Sequence, residues 1–364
     1  MLNAKKVGIF SALLVTLLWA CSGAMLEAQT KPQTISLTIG AGHPIAGQPY
    51  VLKAHDFLVP EITKRVLDKT GIQIKWNEAY AGSIAKVAEV LEATESGLLQ
   101  VGLVCLPFEP AKLFLHNLNY FVPFNTPDPI QATRITRRVF EEMPEMKEIF
   151  EKKYNQKFLG LGTVGNYQLL TTFAVAKLAD LKGKKIAAAG PNLPLLTGTG
   201  AVPVQSVLTD AYTSIQTGVY QGWLVPPGSG YGFKLHEVAK NQANLDFGCV
   251  VVSVLTVNLD TWKNLPKNIQ DIMMQVGREY EMKVAEEAIN YDKVGLKAYV
   301  EKGVTIRDFP AAEREKWASN LPDVPNDKAK EADKMGLPGS KVMAAYIKYL
   351  EEDGYKLPRK WVIK

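Results

Sequence analysis

From residue 35 onward the chain alternates short β-branched runs with longer stretches that are apolar on one face. Ile35 to Ile39 predicts a strand, and GAGHPIAGQP, with its glycines and prolines, predicts a turn. Apolar positions Leu52, Phe57, Leu58, Ile62 and Val66 then recur at helical spacing, predicting a helix from about Tyr50 to Asp68. Ile72 to Trp76 alternates as a second strand. A second helix is predicted from Ser83 to Ser96, stopped at Gly97, and leads into the apolar run LLQVGLVCL, a buried strand. Strand, helix, strand, helix, strand is the rhythm of a parallel sheet covered by helices.

A second series of this kind begins near Lys157. KFLGLGTV, LLTTFAVA and KKIAAAG read as strands, the last after the turn Asp180 to Gly183. A helix is predicted over Leu193 to Gly200, a strand over Val202 to Val207, and a helix over Asp210 to Thr217 ending at Gly218. Gly248 to Leu259 is a β-branched run long enough to cross between two domains. From Asn268 to Glu301 the positions Ile269, Ile272, Met273, Val276, Tyr280, Val284 and Ala288 keep helical spacing with no proline. A helix of that length is longer than one domain is wide and is expected to brace both.

The start of the chain belongs to neither series. Lys5 and Lys6 precede an apolar run from Val7 to Trp19 and then small residues, the pattern of a secretion signal, here residues 1–21. The run falls short of the roughly 20 apolar residues of a membrane span. Leu18-Trp19-Ala20-Cys21 resembles a lipobox, whose cysteine is lipidated and becomes the mature N-terminus. Cleavage after Ala24 or at Ala28 is the alternative, giving an unanchored protein. Either way the expected location is the periplasm, with membrane attachment only through a lipid on Cys21. Without Lys5 and Lys6 the formal charge falls from +5 to +3, too weak and dispersed for a nucleic-acid partner.

Candidate chemistry is sparse. Gly160-Leu161-Gly162-Thr163-Val164-Gly165 matches a dinucleotide fingerprint, but NYQLLTTFAV after it is a poor first helical turn, so glycines at a strand end are the expectation. Gly228-Ser229-Gly230 lacks the outer glycines of a nucleophile elbow. Glu141-Glu142 and Glu286-Glu287 fall on predicted solvated helix faces. Cys105 and Cys249 could pair in an oxidising compartment, but both sit in apolar runs, where free buried thiols are the expectation; neither they nor His43, His55, His116 and His236 have metal-ligand spacing. No cofactor, metal or catalytic role is expected.

The order of segments says more. ISLTIGAGHP, AYAGSI, ESGLLQVGLV, YFVPFNTPD, ADLKGKKI, the step Gly200 to Pro203, DAYTSIQTGVYQG, LHEVAKNQ and NLDTWKNLPKNIQDIM follow one another across the chain. In this it resembles the solute-receptor (DctP-like) subunit of tripartite ATP-independent periplasmic (TRAP) transporters. The resemblance implies an α/β fold of two lobes, joined by hinge strands and a long helix, that closes on a ligand. It divides the chain into lobe I (31–164 and 251–290) and lobe II with the C-terminal helices (165–250 and 291–364). It also implies membrane permease subunits as partners and a small organic solute as ligand. An exported lipoprotein carrier or scaffold of the same fold, without transport coupling, is the alternative.

Against the family pattern several positions change together. An arginine that pairs with the ligand carboxylate is usual where Ala187 stands, and a second where Tyr167 stands. Trp223 and Val225 lie in a segment where the family carries acidic and amide residues, with Val225 at a frequent asparagine position. Cys105 stands where some members have a carboxylate. The resemblance thus places Tyr167, Gln168, Ala187, Trp223, Val225, Cys105 and Phe108 at the cleft, supported by Tyr212. Burying an anion among such residues without a counter-charge costs several kcal/mol. An uncharged, aromatic or hydrophobic ligand is expected rather than a dicarboxylate.

Overall fold

The structure is a computed structural model in which residues 33–364 are described; the leader and Cys21 lie outside the described residues. Eleven strands occur among the described residues. They are β1 (Thr34–Gly40), β2 (Gln73–Ala79), β3 (Val101–Cys105), β4 (Gln156–Asn166), β5 (Gln168–Thr171), β6 (Lys185–Ala188), β7 (Val202–Gln205), β8 (Gly222–Val225), β9 (Asn241–Asn244), β10 (Cys249–Asn258) and β11 (Thr305–Asp308). They form two sheets, ordered β2-β1-β3-β10-β4 and β11-β9-β5-β8-β6-β7. In the first, β1 runs parallel to β2 and β3, as the strand–helix rhythm predicts, whereas β10 inserts antiparallel between β3 and β4. In the second, β6 lies parallel between β7 and β8. Every residue of β3 and β10 is buried, which is why both read as continuous apolar runs rather than alternating ones.

The helices that matter for the site are α1 (Val59–Thr70), α2 (Pro129–Glu142), α3 (Pro227–Gly232), α4 (Lys267–Glu301), α5 (Ala311–Asn320), α6 (Val324–Lys334) and α7 (Gly339–Glu352). Pro49 to Thr70 is helical throughout, with one wider π turn at Ala54–Leu58 ahead of α1. The predicted helix at 83–96 is shorter, Val90–Glu95, and 193–200 winds as a 3-10 turn over Gly190–Leu196, where Pro191 and Pro194 remove amide donors. The 35 residues of α4 span about 50 Å and pack on β4, α1 and α2 at one end and on α3 at the other. Tyr280 on α4 donates its hydroxyl to the carbonyl of Tyr50 at 2.8 Å. Arg137 on α2 and Glu281 on α4 form a buried ion pair, and Glu281 also accepts from Leu161 N at 2.9 Å.

The glycine motif is explained by this packing. Gly160, Gly162 and Gly165 lie inside β4, not at a strand-to-helix turn. A Cβ on Gly160 would sit 2.7 Å from the Gly277 carbonyl of α4; on Gly162 it would meet Ser253, and on Gly165 the Asp292 carboxyl. The motif lets a helix approach a strand closely.

The C-terminal helix, grouped with the second lobe in the sequence division, packs as α7 on α2 of the first layer. Asn119 Nδ2 donates to Tyr346 OH at 2.8 Å, Arg138 pairs with Glu352 at 2.7 Å, and Tyr349 donates to Glu142. Among the described residues no helix is long and apolar enough to cross a membrane.

Candidate ligand-binding cleft

The carboxyl ends of β1, β3, β6 and β8 face one another across a slot of about 30 Å³. Ligands in α/β sheets bind beyond the carboxyl ends of strands, where loops present side chains and free backbone groups. From the first layer come His43 and Gln48, on the loop after β1, Cys105, Pro107 and Phe108 at the end of β3, and Val164 and Val252. From the second come Ala189, Asn192, Leu208, Trp223, Leu224, Val225, Pro226 and Ser229, and Tyr167 enters from the link between β4 and β5. The layers touch around it. Ser229 Oγ donates to Gln48 Oε1 at 3.3 Å, Phe233 stands edge-on to His43 at 5.9 Å, and Tyr291 of α4 donates to the carbonyl of Ala46.

Of the eight residues expected at the cleft, five line it: Tyr167, Trp223, Val225, Cys105 and Phe108. Ala187 does not reach it. It is fully buried beside Trp223, its neighbour across the β6–β8 pair, and Ala189 two residues on reaches the slot from the same face. Gln168 is turned away. Its Oε1 accepts from Leu245 N at 2.6 Å and Asp246 N at 3.0 Å, and its Nε2 donates to Asp246 Oδ1, so it fastens the two chain crossings together. Tyr212 is half-buried on a short outer helix and donates to Glu237 at 3.0 Å. A family position marks where a side chain begins, and these three are diverted by neighbours the sequence does not name.

His43, Gln48, Asn192, Leu208 and Ser229 were not anticipated. The first two lie in GAGHPIAGQP, and their position just past a predicted first strand was the available signal.

Among the described residues no arginine, lysine, aspartate or glutamate lines the slot. Burial lowers His43 to about 4, so its imidazole is neutral at pH 7. Burial also pushes the Cys105 thiol up to about 12, against the pull of a hydrogen bond from Tyr50, with the Glu109 carboxyl adding to the rise. Tyr167 is pushed up to about 12 by burial, and its hydroxyl lies 3.2 Å from that of Tyr120. Tyr167 and Asn192 also border a second, smaller cavity on the far side, lined by Asn125, Phe247 and Gly248 among others.

Two layers bridged by a long helix, with a narrow slot at the strand ends, define a solute-binding protein of the two-lobed type. The model of the bacterial extracellular solute-binding proteins, family 7 (DctP), matches residues 54–330, and the chain belongs to that family. A solute-binding protein of a Sulfitobacter species is 28% identical over 169 residues, which is 46% of this chain and 51% of the relative. DctP, the dicarboxylate-binding periplasmic protein of Rhodobacter capsulatus, is 28% identical over 37% of this chain and 40% of its own. The chain thus matches about half or less of the length of these curated relatives. Solved TRAP solute-binding proteins match the fold along almost their whole length. One from Rhodoferax ferrireducens, in complex with copurified benzoate, has a TM-score of 0.77 at 16% identity, covering 87% of this chain and 98% of that one. One from Bordetella bronchiseptica, with bound (R)-mandelate and (S)-mandelate, has a TM-score of 0.73 at 19% identity, covering 87% and 99%.

Proposed function

We propose that this protein is the extracytoplasmic receptor of a TRAP-type transporter that captures a small uncharged, aromatic or hydrophobic solute by closing its cleft, and delivers it to membrane permease subunits. The observation that carries the ligand class is the absence of any charged side chain from the described lining of the slot. Structural relatives hold benzoate and mandelate, which are aromatic anions. Here Trp223, Tyr167 and Phe108 supply aromatic surface of the kind such rings need, without a cation to neutralise a carboxylate. A neutral ring or short hydrocarbon chain suits that surface.

A receptor reading also fits the side chains near the slot that resemble nucleophiles. Cys105 is held as a thiol, a poor nucleophile, and the Ser229 hydroxyl is turned to an amide rather than a base. Mass spectrometry of the compound that co-purifies with the protein tests the ligand class directly. In a thermal-shift screen, neutral aromatic compounds are expected to raise the midpoint and succinate to leave it unchanged. Strong stabilisation by succinate alone overturns the proposal. A lipid on Cys21 would hold the receptor at a membrane surface, where poorly water-soluble solutes concentrate. Fatty-acid labelling that is lost in Cys21→Ala is the expected result.

A further inference from the structure

Of the polar side-chain nitrogen and oxygen atoms of the described residues that line the slot, one is buried and has no partner: Nε2 of His43. The residue is 3% exposed. A buried donor or acceptor left unpaired is costly enough that native proteins seldom keep one without a use. The loop that carries it is held in place, since the His43 carbonyl accepts from Ala81 N at 3.0 Å and the neighbouring Ala41 carbonyl from Gly82 N at 3.1 Å. The other ring nitrogen, Nδ1, lies 2.7 Å from the hydroxyl of Tyr50, whose own backbone carbonyl is fixed by Tyr280.

The Tyr50 hydroxyl has one proton and two polar neighbours, His43 Nδ1 and the Cys105 thiol. Sulfur is the weaker acceptor of the two. The phenol therefore donates to Nδ1, and the single proton of the neutral imidazole resides on Nε2. Tyr50 and His43 form a pair of donors that ends at a residue lining the slot.

We infer that His43 selects the ligand by donating a hydrogen bond from Nε2, so that the solute is a neutral, mainly apolar molecule bearing a carbonyl or ether oxygen. This rests on the reading of the slot as a site for uncharged ligands, and the test separates the two. Three probes of similar shape serve at pH 8: acetophenone, isopropylbenzene, which lacks the oxygen, and benzoate, which is charged. Acetophenone is expected to bind roughly tenfold tighter than isopropylbenzene, the difference one hydrogen bond makes. His43→Leu should bring the two within about twofold, and His43→Gln, which keeps a donor, should restore part of the preference. Circular dichroism of each variant checks that it folds. Nitrogen NMR of the unliganded protein should show the His43 proton on Nε2.

A proton on Nδ1, equal binding of the two neutral probes, or no response to either overturns the role of His43. Benzoate binding tighter than both overturns the neutral-ligand reading beneath it.

Discussion

At the scale of single residues, the slot is defined by what Trp223 and Ala187 do to each other. The indole of Trp223 is 3% exposed and packs against Tyr220 at 5.7 Å between ring centres, on the sheet face that Ala187 shares. A guanidinium at position 187 would have to share that face with the indole. Ala187→Arg is expected to weaken binding of the co-purified compound at least about tenfold in calorimetry, because a guanidinium on that buried face displaces the indole that walls the slot. Unchanged affinity would show that the indole keeps its place. Trp223→Ala should cost about 3–5 kcal/mol in urea denaturation as well as binding, since the ring is core and wall at once.

Two buried histidines and one buried aspartate set opposite slopes of stability with pH. Burial lowers both His43 and His116 to about 4, below the unfolded value of 6.5. Between those values the unfolded chain binds the protons, so stability falls as pH drops through that window. Burial raises Asp292 to about 7, against the pull of hydrogen bonds from Gly228 N and Asn166 N, whereas an unfolded aspartate titrates near 3.8. There the folded chain holds the proton, and stability is lost as pH rises towards 7. Comparing urea denaturation at pH 5 and pH 8, His43→Gln should shrink the acid loss and Asp292→Asn should enlarge it. Each step is bounded by about 1.4 kcal/mol per pH unit for one proton.

At the scale of elements, the crossings between the layers are tied by side chains. Asn166, at the end of β4, accepts from Gly248 N at 3.0 Å and donates to Asp246 Oδ1 at 2.7 Å, while Gln168 grips Leu245 and Asp246. Asp292 of α4 accepts from Asn166 N and from Gly228 N of α3, both at 3.0 Å, so the long helix is fastened to a strand end in one layer and a helix start in the other. Gly165→Ala would push a methyl group into that carboxyl. It is expected to cost about 1–3 kcal/mol in urea denaturation.

Much of this level was legible beforehand. The β-branched runs gave most strands, and the proline-free apolar repeat gave α4 nearly to the residue. The antiparallel insertion of β10 was not legible, because a continuous apolar run marks a strand buried on both faces and does not say which way it runs. The fate of Gln168 and Tyr212 was hidden for a related reason: a polar side chain beside a cleft has several partners within reach, and only packing decides among them.

At the scale of the whole molecule, α4 spans both layers and α7 is packed on α2 with buried and surface contacts from Asn119 to Glu352. The face of α7 that carries Val342, Met343, Tyr346 and Leu350 is buried within the chain. Pairing of two copies through that face is therefore excluded unless the helix detaches, and the protein is expected to sediment as a species that does not depend on α7 exposure. Removing residues 339–364 should unfold the first layer rather than change an oligomeric state, a loss that circular dichroism would register.

The contacts that join the layers around the slot carry a consequence for timing. Ser229 with Gln48, Phe233 with His43 and Tyr291 with Ala46 hold the layers around a slot of about 30 Å³, too small for a substituted benzene while all three persist. Encounter must therefore wait for the gap to appear. In stopped-flow fluorescence of Trp223, the observed rate should stop tracking solute concentration and settle at the frequency of that opening. Ser229→Ala, which removes one of the latches, should raise the ceiling and leave the quenching amplitude as it was.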